Sequence, residues 1–142
     1  MRTIVVGVDG SRESIAALRY AINEAQLHEQ AVKAVAAWHV PAAAYGAGLA
    51  PGVPHPRDFE RAAEDALADA LAATAADVGN VTVEGVVREG DAAHVLLEES
   101  DGADLLVVGC RELGFLRRLV HHSVSGQCTH AAHCPVTVVH NN

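Results

Sequence analysis

Positive charge, long apolar runs and cysteine are all scarce in this chain of 142 residues. Lys and Arg number 10 against 18 Asp and Glu, which leaves a formal net charge of −8. Non-specific binding to nucleic acid or to an anionic membrane needs a basic surface, so neither is expected as a partner. No apolar run approaches the ~18 residues that a membrane span requires. The three cysteines, Cys110, Cys128 and Cys134, are odd in number and suggest no disulfide framework. The start, MRTIVVGVDGS, runs straight into an expected strand with no signal peptide ahead of it. A reducing cytoplasm is therefore the expected location.

Two further absences bear on chemistry. His121, His122, Cys128, His130, His133 and Cys134 are dense in potential metal ligands, yet there is no C-x2-C pair and no H-x3-H on one helix face. No metal site is expected from them. Cys128 and Cys134 sit on or near an apolar helix face, where cysteine behaves as a small hydrophobe. No nucleophile, base and orienting group can be assembled from named residues. Ser123 near His121 or His122 is too generic a pairing to mark catalysis, so an enzyme is not expected.

What is present is a regular alternation. Thr3–Val8 is β-branched and apolar and ends in Asp9-Gly10-Ser11, a first buried strand and a turn whose Ser11 can cap a helix. Ile15, Leu18, Ile22 and Ala25 recur at helical spacing, which predicts a helix to about Gln30. Val32–Val40 reads as a second strand. Pro41 to Pro56 holds four prolines and three glycines and reads as a long irregular loop. Arg57–Val78 is an amphipathic helix with Phe59, Ala63, Ala66, Leu67 and Ala70 on one stripe. Val81–Val87 alternates and predicts a third strand. Gly90-Asp91 opens a short helix through Ser100. Leu105–Val108 is a fourth strand, apolar on both faces. A last helix carries Val124, Cys128, Ala131 and Ala132 inward, Pro135 stops it, and Val136–Val139 is the fifth strand. Strands alternating with helices predict an α/β fold with a mainly parallel sheet, in one domain spanning 1–142. Ligands in such sheets bind beyond the carboxyl ends of the strands, where the strand order reverses.

The stretch DLLVVGCRELGFLRRLVHHSVS, Asp104 to Ser125, has the layout of a phosphate-binding turn: strand, glycine, basic loop, helix start. Free N–H groups and the positive end of the helix dipole favour an anion there. Each candidate residue has two roles open to it. Asp9 can hydrogen-bond a sugar hydroxyl, or cap its own turn. Gly109 can admit a ligand to the backbone, or only end the strand. Ser123 can hold a phosphate, or serve as an ordinary N-cap. Arg111 can balance phosphate charge; Arg117 and Arg118 read more simply as a solvated basic loop. Glu112 and His122 put a charge and a ring where a phosphate loop usually has bare backbone.

Three segments, IVVGVDGS, REGDAAHVLLEESDGADLLVVG and SVSGQCTHAAHCPVTVVH, resemble the universal stress protein family, and the match covers nearly the whole chain. The resemblance implies a five-stranded parallel sheet in the order 3-2-1-4-5 flanked by helices, a Rossmann-like arrangement akin to the adenine nucleotide alpha hydrolase fold. It also implies a homodimer formed through the C-terminal strand; any further protein partner is left unnamed. ATP-binding members carry G-x2-G-x9-G-S/T after the fourth strand. Here Gly109 and Ser123 match, while Glu112 and His122 stand at the second and third glycines. The resemblance further places Asp9 at the nucleoside, Val40 at the adenine pocket, Val108 and Gly109 at the end of the fourth strand, and Ser123, Val124 and Ser125 on the phosphate side. It implies a non-catalytic stress-response module with a nucleotide-type cleft, in which ATP, with Mg only alongside it, is disfavoured by the two substitutions. The alternative is a genuine ATP-binding member, hydrolysing slowly or not at all.

Overall fold

The computed structural model describes residues 2–40, 55–109 and 133–140. Its elements follow the expected alternation. β1 (Thr3–Gly7) leads into α1 (Arg12–His28), then β2 (Ala31–Trp38), α2 (Pro56–Thr74), one 3-10 turn (Ala75–Asp77), β3 (Val83–Glu89), α3 (Ala92–Glu99), β4 (Leu105–Gly109) and β5 (Val136–Val139). The five strands form one sheet in the order β3-β2-β1-β4-β5, and every pairing is parallel. The expected order holds, and the reversal falls between β1 and β4.

Strand alternation divides the core in two. Ile4, Val6, Val32, Ala34, Ala36 and Val107 face α1 and α2, and meet Leu18, Ile22 and Leu67 there. Val5, Val35, Leu106 and Val108 face the other way and meet Val95 and Leu96 of α3. Ile4, Val5, Val6, Leu106, Val107 and Val108 are fully buried, so the central strands β1 and β4 are apolar on both faces as their sequences predict. Each such side chain contributes about 1.5–3 kcal/mol of burial.

The boundaries moved where polar residues hide or mimic an element. β2 ends at Trp38, two residues short of Val40, because the Trp38 carbonyl accepts from Gly90 N at 2.7 Å and the chain then leaves the ladder. β3 runs Val83–Glu89 and not Val81–Val87. Val81 N instead donates to the Val78 carbonyl in the preceding turn, and the ladder to β2 continues through Arg88 and Glu89. These polar residues are tolerated because β3 is an edge strand. Pro56 does not close a loop; it opens α2, where its missing N–H costs nothing. His55 caps that helix, its Nδ1 accepting from Arg57 N at 3.1 Å while its own N–H donates to Asp58 at 2.9 Å. At the far end α2 stops at Thr74, and the last turn expected of it is the 3-10 turn.

The amino ends of the strands are tied together by side chains. Asp104 Oδ2 accepts from Thr3 N at 3.1 Å and Gln30 Nε2 at 3.2 Å, with Arg2 Nε at 3.6 Å. Gln26 Nε2 donates to the Asp77 and Val78 carbonyls at 2.8 and 3.3 Å. On the α3 side of the sheet, Lys33 pairs with Glu99 at 3.2 Å, and Arg88 reaches both Glu98 and Glu99. The Glu98 hydrogen bond, against a smaller desolvation effect, raises the Arg88 pKa above its ordinary value. Among the described residues no helix is long and apolar enough to cross a membrane.

Candidate functional site

The turn after β1 is built by its own residues. Gly10 has φ +86°, a left-handed conformation that favours glycine. Ser11 is the N-cap of α1, its Oγ accepting from Ser14 N at 3.1 Å. Asp9 Oδ1 accepts twice from Ser11, at 2.9 Å from N and 2.6 Å from Oγ. Ser14 Oγ donates to the Ser11 carbonyl at 3.0 Å, and accepts from Asp9 N at 3.3 Å. The local role open to Asp9 is therefore filled, and its charge sits at the positive end of α1. Only Oδ1 is used in this way. Asp9 is exposed, and among the described residues the second carboxylate oxygen has no donor.

Beside Asp9 lies a cavity of about 280 Å³. Val8, Asp9, Ala36, Ala37, Trp38 and His39 line it from the sheet, and Phe59, Ala62, Ala63 and Ala66 line it from α2. It opens at the carboxyl ends of β1 and β2, the end of the sheet at which a parallel sheet presents its ligand sites, and adjoins the β1–β4 reversal through Val8 and Asp9. Five of the ten lining residues are alanine, which keeps the floor shallow in side-chain bulk and leaves the two aromatic rings as the large apolar groups. Asp9 is the one carboxylate among them. A larger groove, about 610 Å³, lies at the opposite end between the end of α1 and the turn before β3, lined by Gln26, Glu29, Gln30, Asn80 and Thr82 among others. It is at the amino ends of the strands, away from Asp9.

The other predicted site residues are placed as follows. Val40 is half-buried, two residues beyond β2. Val108 is fully buried in the α3-side core, so its side chain is committed to packing and only its backbone is left for a ligand. Gly109 ends β4 at the same end of the sheet as Asp9, as the β1–β4 pairing requires. A Cβ there would lie 2.7 Å from the carbonyl carbon of Glu13 and 2.8 Å from its oxygen. Glycine is thus demanded by the first turn of α1 packing onto the strand, a third role beyond the two that the sequence offers. Arg111, Glu112, His122, Ser123, Val124 and Ser125 lie outside the described residues, as do Arg117 and Arg118, the loop from Pro41 to Pro54 and the expected last helix up to Ala132.

Among the described residues no group of three or more His, Cys, Asp or Glu could hold a metal ion. Cys134 is half-buried beside β5, and burial pushes its thiol pKa up. Asp9 is the one lining residue that the sequence also suggests for the site; Trp38, His39 and Phe59 are the larger side chains it does not. The periodicity puts Phe59 on an inner helical stripe and Trp38 in a strand. The available signal was position: an aromatic at the carboxyl end of a strand, and another in the first turn of the helix that returns after the loop.

A sequence model of the Universal stress protein family matches residues 1–140. A universal stress protein of Mycolicibacterium smegmatis (strain ATCC 700084 / mc(2)155) is 35% identical over 147 residues, which cover 98% of this chain and 48% of that one. The chain spans about half the length of the curated relatives it matches. Among solved structures, the universal stress protein from Archaeoglobus fulgidus in complex with dAMP superposes with a TM-score of 0.70 at 20% identity, covering 98% of each chain. A universal stress protein in complex with cAMP gives a TM-score of 0.65 at 22% identity, covering 99% of this chain and 98% of that one. At these identities the two structures establish the shared fold.

Proposed function

Because the chain belongs to the universal stress protein family, we propose that it is a dimeric, non-catalytic, cytoplasmic stress-response module that binds an adenine nucleotide in the Asp9 cleft and holds ATP only weakly. The observation that carries this reading is the cavity of about 280 Å³ with Asp9 on its edge, at the carboxyl ends of β1 and β2. The nucleotides named in the two related structures, dAMP and cAMP, give the ligand class. Both carry a single phosphate.

Weak ATP binding follows from Glu112 and His122, which stand at two glycine positions of the ATP motif. A carboxylate about 4 Å from one phosphate charge is repelled by about 1 kcal/mol in water and about 4 kcal/mol near a protein surface. Each further phosphate adds to that repulsion. Calorimetry with AMP and with ATP, with and without magnesium, tests the reading. AMP should bind more tightly than ATP, and Glu112→Gly with His122→Gly should raise ATP affinity by about one to two orders of magnitude. Tight ATP binding by the unaltered protein would favour an ATP-binding module instead.

Assembly and catalysis have their own tests. β5 is an edge strand of four residues, Val136-Thr137-Val138-Val139, hydrogen-bonded to β4 on one side. Apolar edges invite pairing, which supports a dimer through this strand. Light scattering should give twice the chain mass at micromolar concentration. Phosphate release from ATP should not exceed a control without protein, as expected of a sequence that offers no recognisable set of nucleophile, base and orienting group.

A further inference from the structure

We propose that Phe59 of α2 and Trp38 of β2, which line the same cavity, form the specificity-determining wall of this cleft, and that the pair selects a purine base over a pyrimidine. The proposal rests on the reading of the cleft as a nucleotide site and goes beyond it by naming the residues that choose the base.

The cavity lining combines two kinds of group. Asp9 is a carboxylate with one oxygen held by Ser11 and the other not bonded by any described residue. Trp38 and Phe59 add two aromatic rings, and five alanines keep the rest of the wall small. A ligand that suits both kinds carries hydroxyl donors next to a flat, weakly polar ring. That is the sugar–base half of a nucleotide. The volume agrees, because about 280 Å³ lies just under the ~300–1,000 Å³ usual for sites that enclose a whole small molecule. One end of a nucleotide fits and the phosphates lie outside.

Both rings are held in place without being used up. Trp38 packs against the core on one side and is only half-buried, and its backbone is fixed by the hydrogen bond from Gly90 N. Phe59 is also half-buried and directly follows Asp58, whose carboxylate closes the capping box with His55. The cap fixes where α2 begins, and with it the ring one residue further on. Ala66 of the lining also lies against the Asp9 turn, where a Cβ built on Gly10 would meet its Cβ at 3.4 Å, ordinary packing distance. A larger π-surface gains more from stacking, so a two-ring base is favoured over a one-ring base.

Titration of the full chain with AMP and with UMP, by calorimetry and by quenching of Trp38, the chain's single tryptophan, tests this. The unaltered protein should bind AMP at least about tenfold more tightly than UMP. Phe59→Ala should weaken AMP by roughly 5- to 100-fold, the range for loss of one stacking partner, and bring the AMP-to-UMP ratio close to one. Phe59→Tyr should keep both affinity and ratio. Ala62→Leu, at an exposed helical position on the cavity wall, should fill the slot and abolish AMP binding and quenching with the fold intact by circular dichroism. It keeps the test decisive if Phe59→Ala proves unstable. Binding of AMP that is unchanged in both Phe59→Ala and Ala62→Leu would overturn this proposal and leave the nucleotide reading standing. Absence of binding by either nucleotide to the unaltered protein would overturn both.

Discussion

Asp104 at the lower end of the sheet holds Thr3, 101 residues away, and Gln30, 74 residues away. Among the described residues, the Asp9 carboxylate at the upper end holds only Ser11, two residues away. The two aspartates do opposite work. The amino ends of the strands are clamped by side chains that cross the chain, and Gln26 adds a second clamp onto the turn after α2. The carboxyl ends are shaped by local turns and by close packing, and among the described residues nothing donates to the second Asp9 oxygen, while Trp38 and Phe59 are only half-buried. Long-range bonds at one end fix the strands relative to one another. The other end can then carry groups whose interactions are not needed for folding.

If that division is right, substitutions at the upper end should change binding, or binding with stability, and those at the lower end stability alone. Gly109→Ala should have the largest effect. Its methyl group would overlap the Glu13 backbone, which cannot move without shifting α1, so a loss of about 2–3 kcal/mol is expected in urea unfolding without any ligand. Ser11→Ala comes next. It removes the N-cap hydroxyl and the shorter of the two bonds that orient Asp9, leaving the one from the backbone N–H of residue 11, and should lower stability by about 1–2 kcal/mol together with AMP affinity. Asp104→Ala breaks the lower clamp at exposed positions and should lower stability by about 1 kcal/mol with AMP affinity unchanged. A change in AMP affinity there would break the comparison.

The smallest effect concerns Cys134, near the lower end. Burial raises its thiol pKa in the folded state, so the folded chain keeps that proton where the unfolded chain begins to lose it. The thiol therefore contributes stability that is fully present below the unfolded thiol pKa and declines as pH rises through the folded one. Site-resolved alkylation by iodoacetamide at neutral pH should be slower at Cys134 in the folded protein than in urea.

Much of the upper end was legible in the sequence, but not its detail. β1 and β4 announce themselves as short β-branched runs, and Ser11 as a cap, because those signals are local. The order of the strands came from the family resemblance; periodicity alone could not supply it. β3 slipped by two residues because an edge strand can end in Arg88 and Glu89 without losing its ladder. Trp38 and Phe59 lie in the strand and the helix that the sequence predicts, yet that they line one cavity depends on how α2 returns over β2, which no spacing encodes. Val108 was placed at the site by position along the chain, and strand alternation then turned its side chain toward α3.

Gly109 carries a consequence for how such chains are diagnosed. A glycine at the head of a ligand motif is commonly taken as a signature of the ligand. Here the same glycine is required by the docking of α1 onto β4. A descendant that lost its nucleotide altogether would still be held to glycine at this position by folding alone. The signature would then outlive the activity it is used to detect, and the informative positions would be those, such as Phe59, that the fold leaves free to vary.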